Sequence, residues 1–129
     1  ELVTIDIEPR LIARLQRRVD AAGLTNIDAR VADVYDLPFV DASFDLIYMI
    51  AVINEIPDIP WALAEFHRVL KPTGSLVFSE LFMDPDYPLS VALTCKVQAA
   101  GFRLKEKLGN FFYYTLIFEK KTNPRIARR

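Results

Sequence analysis

The sequence predicts an α/β domain built on a doubly wound, mostly parallel sheet. Three observations carry this. Short β-rich runs alternate with segments of helical period along most of the chain. Phe44 to Ala51 is an almost unbroken apolar run, as expected of a parallel strand buried on both faces. Two acids, Asp6 and Asp33, each close a β-rich run. Such a sheet gathers its ligands beyond the carboxyl ends of its strands.

Leu2 to Ile7 reads as the opening strand. Glu8-Pro9 then starts a helix, because proline is tolerated in a first turn, where its missing N–H is not needed. Leu11, Leu15, Val19 and Ala22 recur at helical spacing as its expected buried stripe, and Gly23 is the expected cap. Ile27 to Ala32 alternates as a second strand, and Leu37-Pro38 breaks the chain before the apolar run. Asp58 is placed to cap the next helix, with Pro60 in its first turn. Leu63, Phe66 and Leu70 point to the core there, Glu65 and Arg68 lie outside, and Lys71-Pro72-Thr73-Gly74 forms the terminating turn.

Ser75 to Glu80 is a further strand. Pro88 to Ala100 is a helix with Leu89, Leu93 and Val97 on one face, stopped by Gly101. Phe102 to Leu108 and Phe111 to Glu119 flank Gly109-Asn110, a pair suited to a two-residue hairpin turn. The chain therefore ends in an antiparallel hairpin.

A hydrophobic fraction of 52% in 129 residues supports one packed domain and excludes a disordered segment. Sixteen basic residues against seventeen acidic ones give no electrostatic reason to bind nucleic acid or a membrane surface. Cys95 is the only cysteine, so no internal disulfide forms, which fits the cytoplasm. The longest apolar run, Leu46 to Ile53, is too short to span a bilayer. Residues 1–121 read as the domain and 122–129 as a solvated basic tail. Because Glu1 stands inside a strand pattern with no starting Met, further residues are expected upstream.

A carboxylate at a strand's carboxyl end can accept two hydrogen bonds from the vicinal hydroxyls of a ribose. Asp6 suits that role, and equally suits capping the helix that begins near Glu8. Asp33 can accept from an adenine amino group while a following backbone N–H meets a ring nitrogen. It can also be a solvated strand end. The two acids fall one strand apart on the same edge, so each supports the ligand reading of the other.

Val31 to Asp45 reads VADVYDLPFVDASFD, and Ala64 to Gly74 reads AEFHRVLKPTG. These resemble the D-x-x-x-L-P-F-x-D-x-S-F-D and E-x-x-R-V-L-K-P-G-G signatures of class I S-adenosylmethionine-dependent methyltransferases of the ubiquinone-biosynthesis and arsenite type. Asn54 to Asp58, NEIPD, and the ending GNFFYYTLIFEKK are similar to a small bacterial and archaeal subgroup. Thr73 stands where the family has its first turn glycine.

The resemblance implies a Rossmann-like sheet and S-adenosylmethionine as cofactor. It implies that Asp6 binds the ribose, Ile7 packs on the adenine, Asp33 takes the adenine amino group and Val34 supplies a backbone contact. Ile50 and Ala51 would line the methionine end. The family's first strand and G-x-G-x-G loop have no counterpart in the sequence, and the chain alone is expected to bind the cofactor weakly or not at all. In the usual strand order the missing strand is central. Its place is then taken by upstream residues or a partner chain, or the two halves pair directly.

The acceptor reads as a small molecule, and a homodimer is open. Asn54 and Glu55 follow the central strand and are the candidate substrate contacts, with Glu55 equally a solvated loop acid. Tyr48, Tyr87, Tyr113 and Tyr114 are further candidates or half-buried packing. His67 reads as structural and Cys95 as a small buried hydrophobe. Asp84 and Asp86 lack companions at metal-binding spacing, so no metal is expected. No residue stands out as a catalytic base. Two other readings stand beside the enzyme: a truncated, non-catalytic interaction module of the same fold, and a nicotinamide-dependent oxidoreductase. Against the latter stand the RVLKPTG segment, the final hairpin and the lack of a Tyr/Lys pair four residues apart.

Overall fold

A computed structural model describes residues 1–83 and 85–121; Asp84 and the expected basic tail, 122–129, lie outside the described residues. The chain groups into two compact units, Glu1–Pro38 and Phe39–Arg129.

The first unit contains β1 (Leu2–Asp6), α1 (Pro9–Ala21) and β2 (Ile27–Val31). β1 and β2 pair in parallel and in register from Leu2↔Ile27 to Asp6↔Val31. The Glu8 side chain caps α1 by accepting from the Arg10 N–H at 3.3 Å, and Pro9 sits in the first turn. Gly23, at φ +64°, ends the helix in the left-handed region, while the Leu24 N–H reaches back to the Val19 carbonyl at 3.1 Å. The buried stripe is Ile12 and Val19, with Leu15 half-buried between them. Leu11 and Ala22 are exposed, so the expected stripe is corrected by one position at its start. Both series satisfy helical period, and the fold selects the one led by Ile12.

The second unit contains β3 (Phe44–Ile50), a 3-10 turn (Ile53–Glu55), α2 (Ile59–Val69), β4 (Leu70–Leu81), α3 (Ser90–Ala99), β5 (Phe102–Gly109) and β6 (Tyr113–Lys120). Its sheet runs β3-β4-β6-β5. β3 and β4 are parallel, and β6 is antiparallel to both β4 and β5, which gives the expected C-terminal hairpin. Leu76, Phe78, Leu116 and Phe118 alternate along β4 and β6 and are fully buried. Leu63, Phe66 and Val69 of α2, Leu93 and Val97 of α3, and Phe102 are buried with them.

Several expectations are corrected in this unit. β3 is not buried on both faces: Leu46, Tyr48 and Ile50 are each more than half exposed. The three share one face by strand period, and β3 is the end strand of its ladder among the described residues, so that face and one edge are open. Lys71-Pro72-Thr73-Gly74 is not a turn, since β4 begins at Leu70 directly after α2. Phe44 pairs with Leu70 but Leu46 pairs with Ser75, so the KPTG segment is extra backbone bulged out of the strand. A Cβ on Gly74 would sit 2.7 Å from Leu70 Cδ1 and 3.0 Å from the Asp45 carbonyl oxygen, so this glycine serves a close approach.

The hairpin turn is displaced from Gly109-Asn110. Gly109 pairs with Tyr114, the Asn110 N–H donates to the Tyr113 carbonyl at 2.7 Å, and Phe111 and Phe112 occupy the tip. Asn110 Oδ1 accepts from the N–H groups of Phe112 and Tyr113 at 2.9 and 3.2 Å, a side-chain cap that stabilises the wider turn. In α3 the buried face is Leu93 and Val97 only. Leu89 precedes the helix and is exposed, as is Cys95, which is therefore not a buried hydrophobe.

Candidate functional site

In the first unit the sequence-predicted residues Asp6, Ile7, Asp33 and Val34 come together at the carboxyl edge of the β1-β2 ladder. Asp6 and Val31 are its last pair, and the Ala32 N–H donates to the Asp6 carbonyl at 3.1 Å. Asp33 follows two residues after Val31. Asp6 Oδ1 accepts from the Glu8 N–H at 2.8 Å, and Asp33 Oδ1 accepts from the Tyr35 N–H at 2.9 Å. Each acid therefore turns the chain with one oxygen, and the cap of α1 is Glu8 rather than Asp6. The second oxygen of each has no hydrogen bond to the described residues and remains available to a ligand. Ile7, beside Asp6, is 68% exposed, an unusual cost for an apolar side chain at an edge that already carries two acids.

In the second unit Ile50, Ala51, Asn54 and Glu55 lie at the carboxyl edge of β3. The Ala51 N–H continues the ladder to the Ser79 carbonyl at 2.9 Å, but Ala51 itself sits at φ +51°. A non-glycine residue in the left-handed region costs ~1–2 kcal/mol and clusters where backbone must turn toward a ligand. Ile53 is fully buried and anchors the 3-10 turn. Asn54 Nδ2 donates to the Asp86 carbonyl, which ties this turn to the segment after β4. Glu55 is exposed.

The remaining candidates are mostly structural. Tyr48 Oη donates to Ser79 Oγ at 3.1 Å, and Ser79 Oγ and Thr115 Oγ1 share a hydrogen bond at 2.7 Å. Tyr114 is buried and donates to the Pro88 carbonyl at 2.6 Å; burial, reinforced by the Glu80 carboxylate, raises its phenol well above the ordinary range. Tyr87 donates to the Phe111 carbonyl, and its phenol is raised for the same reasons. Neither tyrosine is a base near neutral pH. Tyr113 is half exposed. His67 packs edge-on against Phe102 at 5.2 Å and its imidazole pKa is lowered by burial, then by Lys120, in keeping with a structural role.

Glu65 and Arg68 are corrected from solvent-facing to half-buried partners. Arg68 Nε and Nη2 donate to the two Glu65 carboxylate oxygens at 2.8 Å each, while Nη1 donates to the Phe39 carbonyl at 2.7 Å and Asp41 Oδ1 at 3.0 Å. Lys71 Nζ reaches Asp45 Oδ1 at 2.8 Å. Phe39, Asp41 and Asp45 belong to one motif and Glu65, Arg68 and Lys71 to the other, so the two signatures brace each other and carry no ligand group there. Among the described residues no Cys, His, Asp or Glu cluster is arranged to hold a metal, and no helix is long and apolar enough to cross a membrane.

Sequence reasoning missed Phe82, Phe111 and Phe112. All three are about half exposed and in mutual ring contact at this same edge. Two consecutive aromatics next to a glycine-asparagine turn were a usable signal.

Comparison with known proteins adds to this geometry. The profile described as a methyltransferase domain matches residues 1–78. The ubiquinone/menaquinone biosynthesis C-methyltransferase UbiE of Dinoroseobacter shibae is 36% identical over 96 residues, covering 71% of this chain and 37% of that protein. The arsenite methyltransferase of Aquipseudomonas alcaligenes is 37% identical over 75 residues, covering 56% of this chain and 22% of that protein. A crystal structure titled a SAM dependent methyltransferase from Aquifex aeolicus superposes with a TM-score of 0.85 at 17% identity, covering 92% of this chain and 68% of that one. The chain spans well under half the length of these curated relatives. The α/β fold with its closing antiparallel hairpin, the matched profile and these relatives agree: the chain belongs to the methyltransferase domain family, among the class I S-adenosylmethionine-dependent methyltransferases.

Proposed function

We propose that the protein transfers the methyl group of S-adenosylmethionine to a small-molecule acceptor, and that this chain holds the adenosine half of the cofactor. The observation that supports this best is the pair Asp6 and Asp33 on one carboxyl edge, each with an oxygen to spare. The donor chemistry fits: a carboxylate accepts from two ribose hydroxyls, and a second accepts from an exocyclic amine. Ile7 offers an exposed apolar surface to the adenine, and Val34 a backbone N–H to a ring nitrogen. We assign Ile50 and Ala51 to the methionine end, with the left-handed Ala51 turning the backbone there.

When bound, S-adenosylmethionine supplies a methyl group already activated by a sulfonium leaving group. The residues of the chain then have to bind, orient and exclude water, and need not provide a strong base. That fits a site where the Tyr87 and Tyr114 phenols are held above their ordinary range. Asn54, fixed through Asp86, and the exposed Glu55 are assigned to the acceptor side as positioning contacts. The names of the curated relatives, one from quinone biosynthesis and one for arsenite, support a small acceptor. They give no support to the interaction-module or oxidoreductase readings. The single cysteine suits a cytoplasmic enzyme.

The test is a calorimetric titration of the protein with S-adenosylhomocysteine and, separately, ADP-ribose. Binding of the first in clear preference to the second is expected. Preference for ADP-ribose would move the site to a dinucleotide and overturn the assignment.

A further inference from the structure

We propose that α1 carries a docking surface for an acidic helix of a partner protein. Arg10, Arg14, Arg17 and Arg18 are all exposed on this helix. At helical period they fall within about 100° of arc and about 12 Å along the axis, so they form one stripe. Ile12 and Val19, which anchor the helix to its unit, lie on the opposite side.

The stripe does not serve the stability of the helix that carries it. Arg10 with Arg14, and Arg14 with Arg18, are like charges at i,i+4, an arrangement that destabilises a helix. The first turn holds Arg10 and no acid, although the positive end of the helix dipole favours an acid there. Only Arg18 lies in the last turn, where a cation is favoured. Nothing within the chain offsets this. Among the described residues none of the four guanidinium groups has an ion pair or a hydrogen-bonded partner. Asp20, the one acid of the helix, accepts from Gln16 Nε2 at 2.8 Å. By contrast Arg30, Arg68 and Arg103 each meet a carboxylate of the chain.

Charge and shape select the occupant. Arginine is a planar fork that takes a carboxylate or a phosphate in paired hydrogen bonds and keeps its charge at any working pH. The first unit holds five arginines against seven acids, so outside the stripe its field repels an extended polyanion. A nucleic acid or an anionic bilayer would meet those acids together with the arginines, whereas a single helix meets the stripe alone. Leu11, 51% exposed, borders the stripe beside Arg14 and Arg18. A phosphate backbone or a headgroup layer returns no apolar contact there, and an aliphatic side chain of a partner helix does. Carboxylates at i, i+4, i+7 and i+8 on that helix repeat the spacing of the four arginines.

The experiment is a chemical-shift titration of the protein with a capped, alanine-based helical peptide that carries glutamates at the arginine spacing and a leucine beside them. The same peptide with glutamine for glutamate, a duplex RNA, and phosphatidylcholine/phosphatidylglycerol vesicles are the comparisons. The acidic peptide is expected to move the α1 amides and the Nε–H resonances of the four arginines, with an affinity that falls as salt is raised. The double variant Arg14→Gln/Arg18→Gln is expected to bind it about fivefold more weakly, while its melting temperature holds or rises because a like-charge pair has gone. A lower melting temperature in that variant would show that the arginines serve the fold. No response to the acidic peptide, equal binding of the glutamine peptide, or preference for the RNA or the vesicles would each equally overturn the proposal.

Discussion

Asp6 is where the turn-forming and ligand-binding roles can be separated by experiment. Its Oδ1 accepts from the Glu8 N–H at 2.8 Å, and its other oxygen is open. Asp6→Ala removes both functions. Loss of the turn hydrogen bond to Glu8 costs ~1 kcal/mol of stability, and loss of a charge-assisted acceptor for the ribose costs ~1.5–3 kcal/mol of binding, about 10- to 150-fold in affinity. Asp6→Asn keeps an oxygen for the Glu8 N–H but removes the charge and places an NH2 group where the second ribose hydroxyl would donate. It should therefore melt like the wild type, yet bind S-adenosylhomocysteine about tenfold or more weakly. Asp6 is only half-buried, so the smaller end of the range is expected. Thermal denaturation and calorimetry on the three proteins decide the matter. An Asn variant with wild-type affinity would make Asp6 a turn former and nothing more.

Three further outcomes follow from the second unit. Gly109→Ala should lower stability by ~2–4 kcal/mol, because Gly109 sits at φ +90° and an added Cβ would overlap the Tyr113 carbonyl oxygen; an unchanged melting temperature would refute that geometry. Ala51→Gly should be nearly neutral, where an ordinary Ala→Gly change in regular structure costs ~0.5–1 kcal/mol, because relief of the left-handed strain at φ +51° offsets the entropy of glycine. Chemical denaturation showing a full glycine penalty would mean that Ala51 is not strained. The His67 imidazole is held below its ordinary value by burial and then by Lys120, so its contribution to stability is present above about pH 6.5 and fades as the pH falls through the lowered value. The melting temperature should drop between about pH 7.5 and 5, and His67→Gln should flatten part of that drop; an identical profile in the variant would refute it.

How far the sequence could be read depended on whether the information was local. Asp58 accepts from the Trp61 N–H at 3.0 Å as a helix cap, and Gly23 ends α1, because both follow from backbone chemistry within one turn. The carboxyl-edge placement of Asp6 and Asp33 was equally legible, since strand ends and parallel order fix it. The errors fall where two local solutions were equally good. Ile12 rather than Leu11 leads the buried stripe of α1, and Phe111-Phe112 rather than Gly109-Asn110 occupies the hairpin tip. A glycine-asparagine pair satisfies a tight turn, but the Gly109↔Tyr114 register also lets Asn110 cap a wider one.

The sequence by itself determined the alternation of elements, the parallel start and antiparallel finish, and the placing of two acids at one carboxyl edge. These depend on period, caps and residue chemistry, which act over a few positions. Only the tertiary structure decided that β3 ends its ladder, that KPTG is a bulge bringing Gly74 close to Leu70 and the Asp45 carbonyl, and that Arg68 joins Glu65 to Phe39 and Asp41. It alone assembled Phe82, Phe111 and Phe112 into one cluster, from residues about thirty positions apart. The physical reason is common to all of these: burial, register and ring contact are properties of which segments meet, and a strand reads the same in sequence whether or not a neighbour pairs with it.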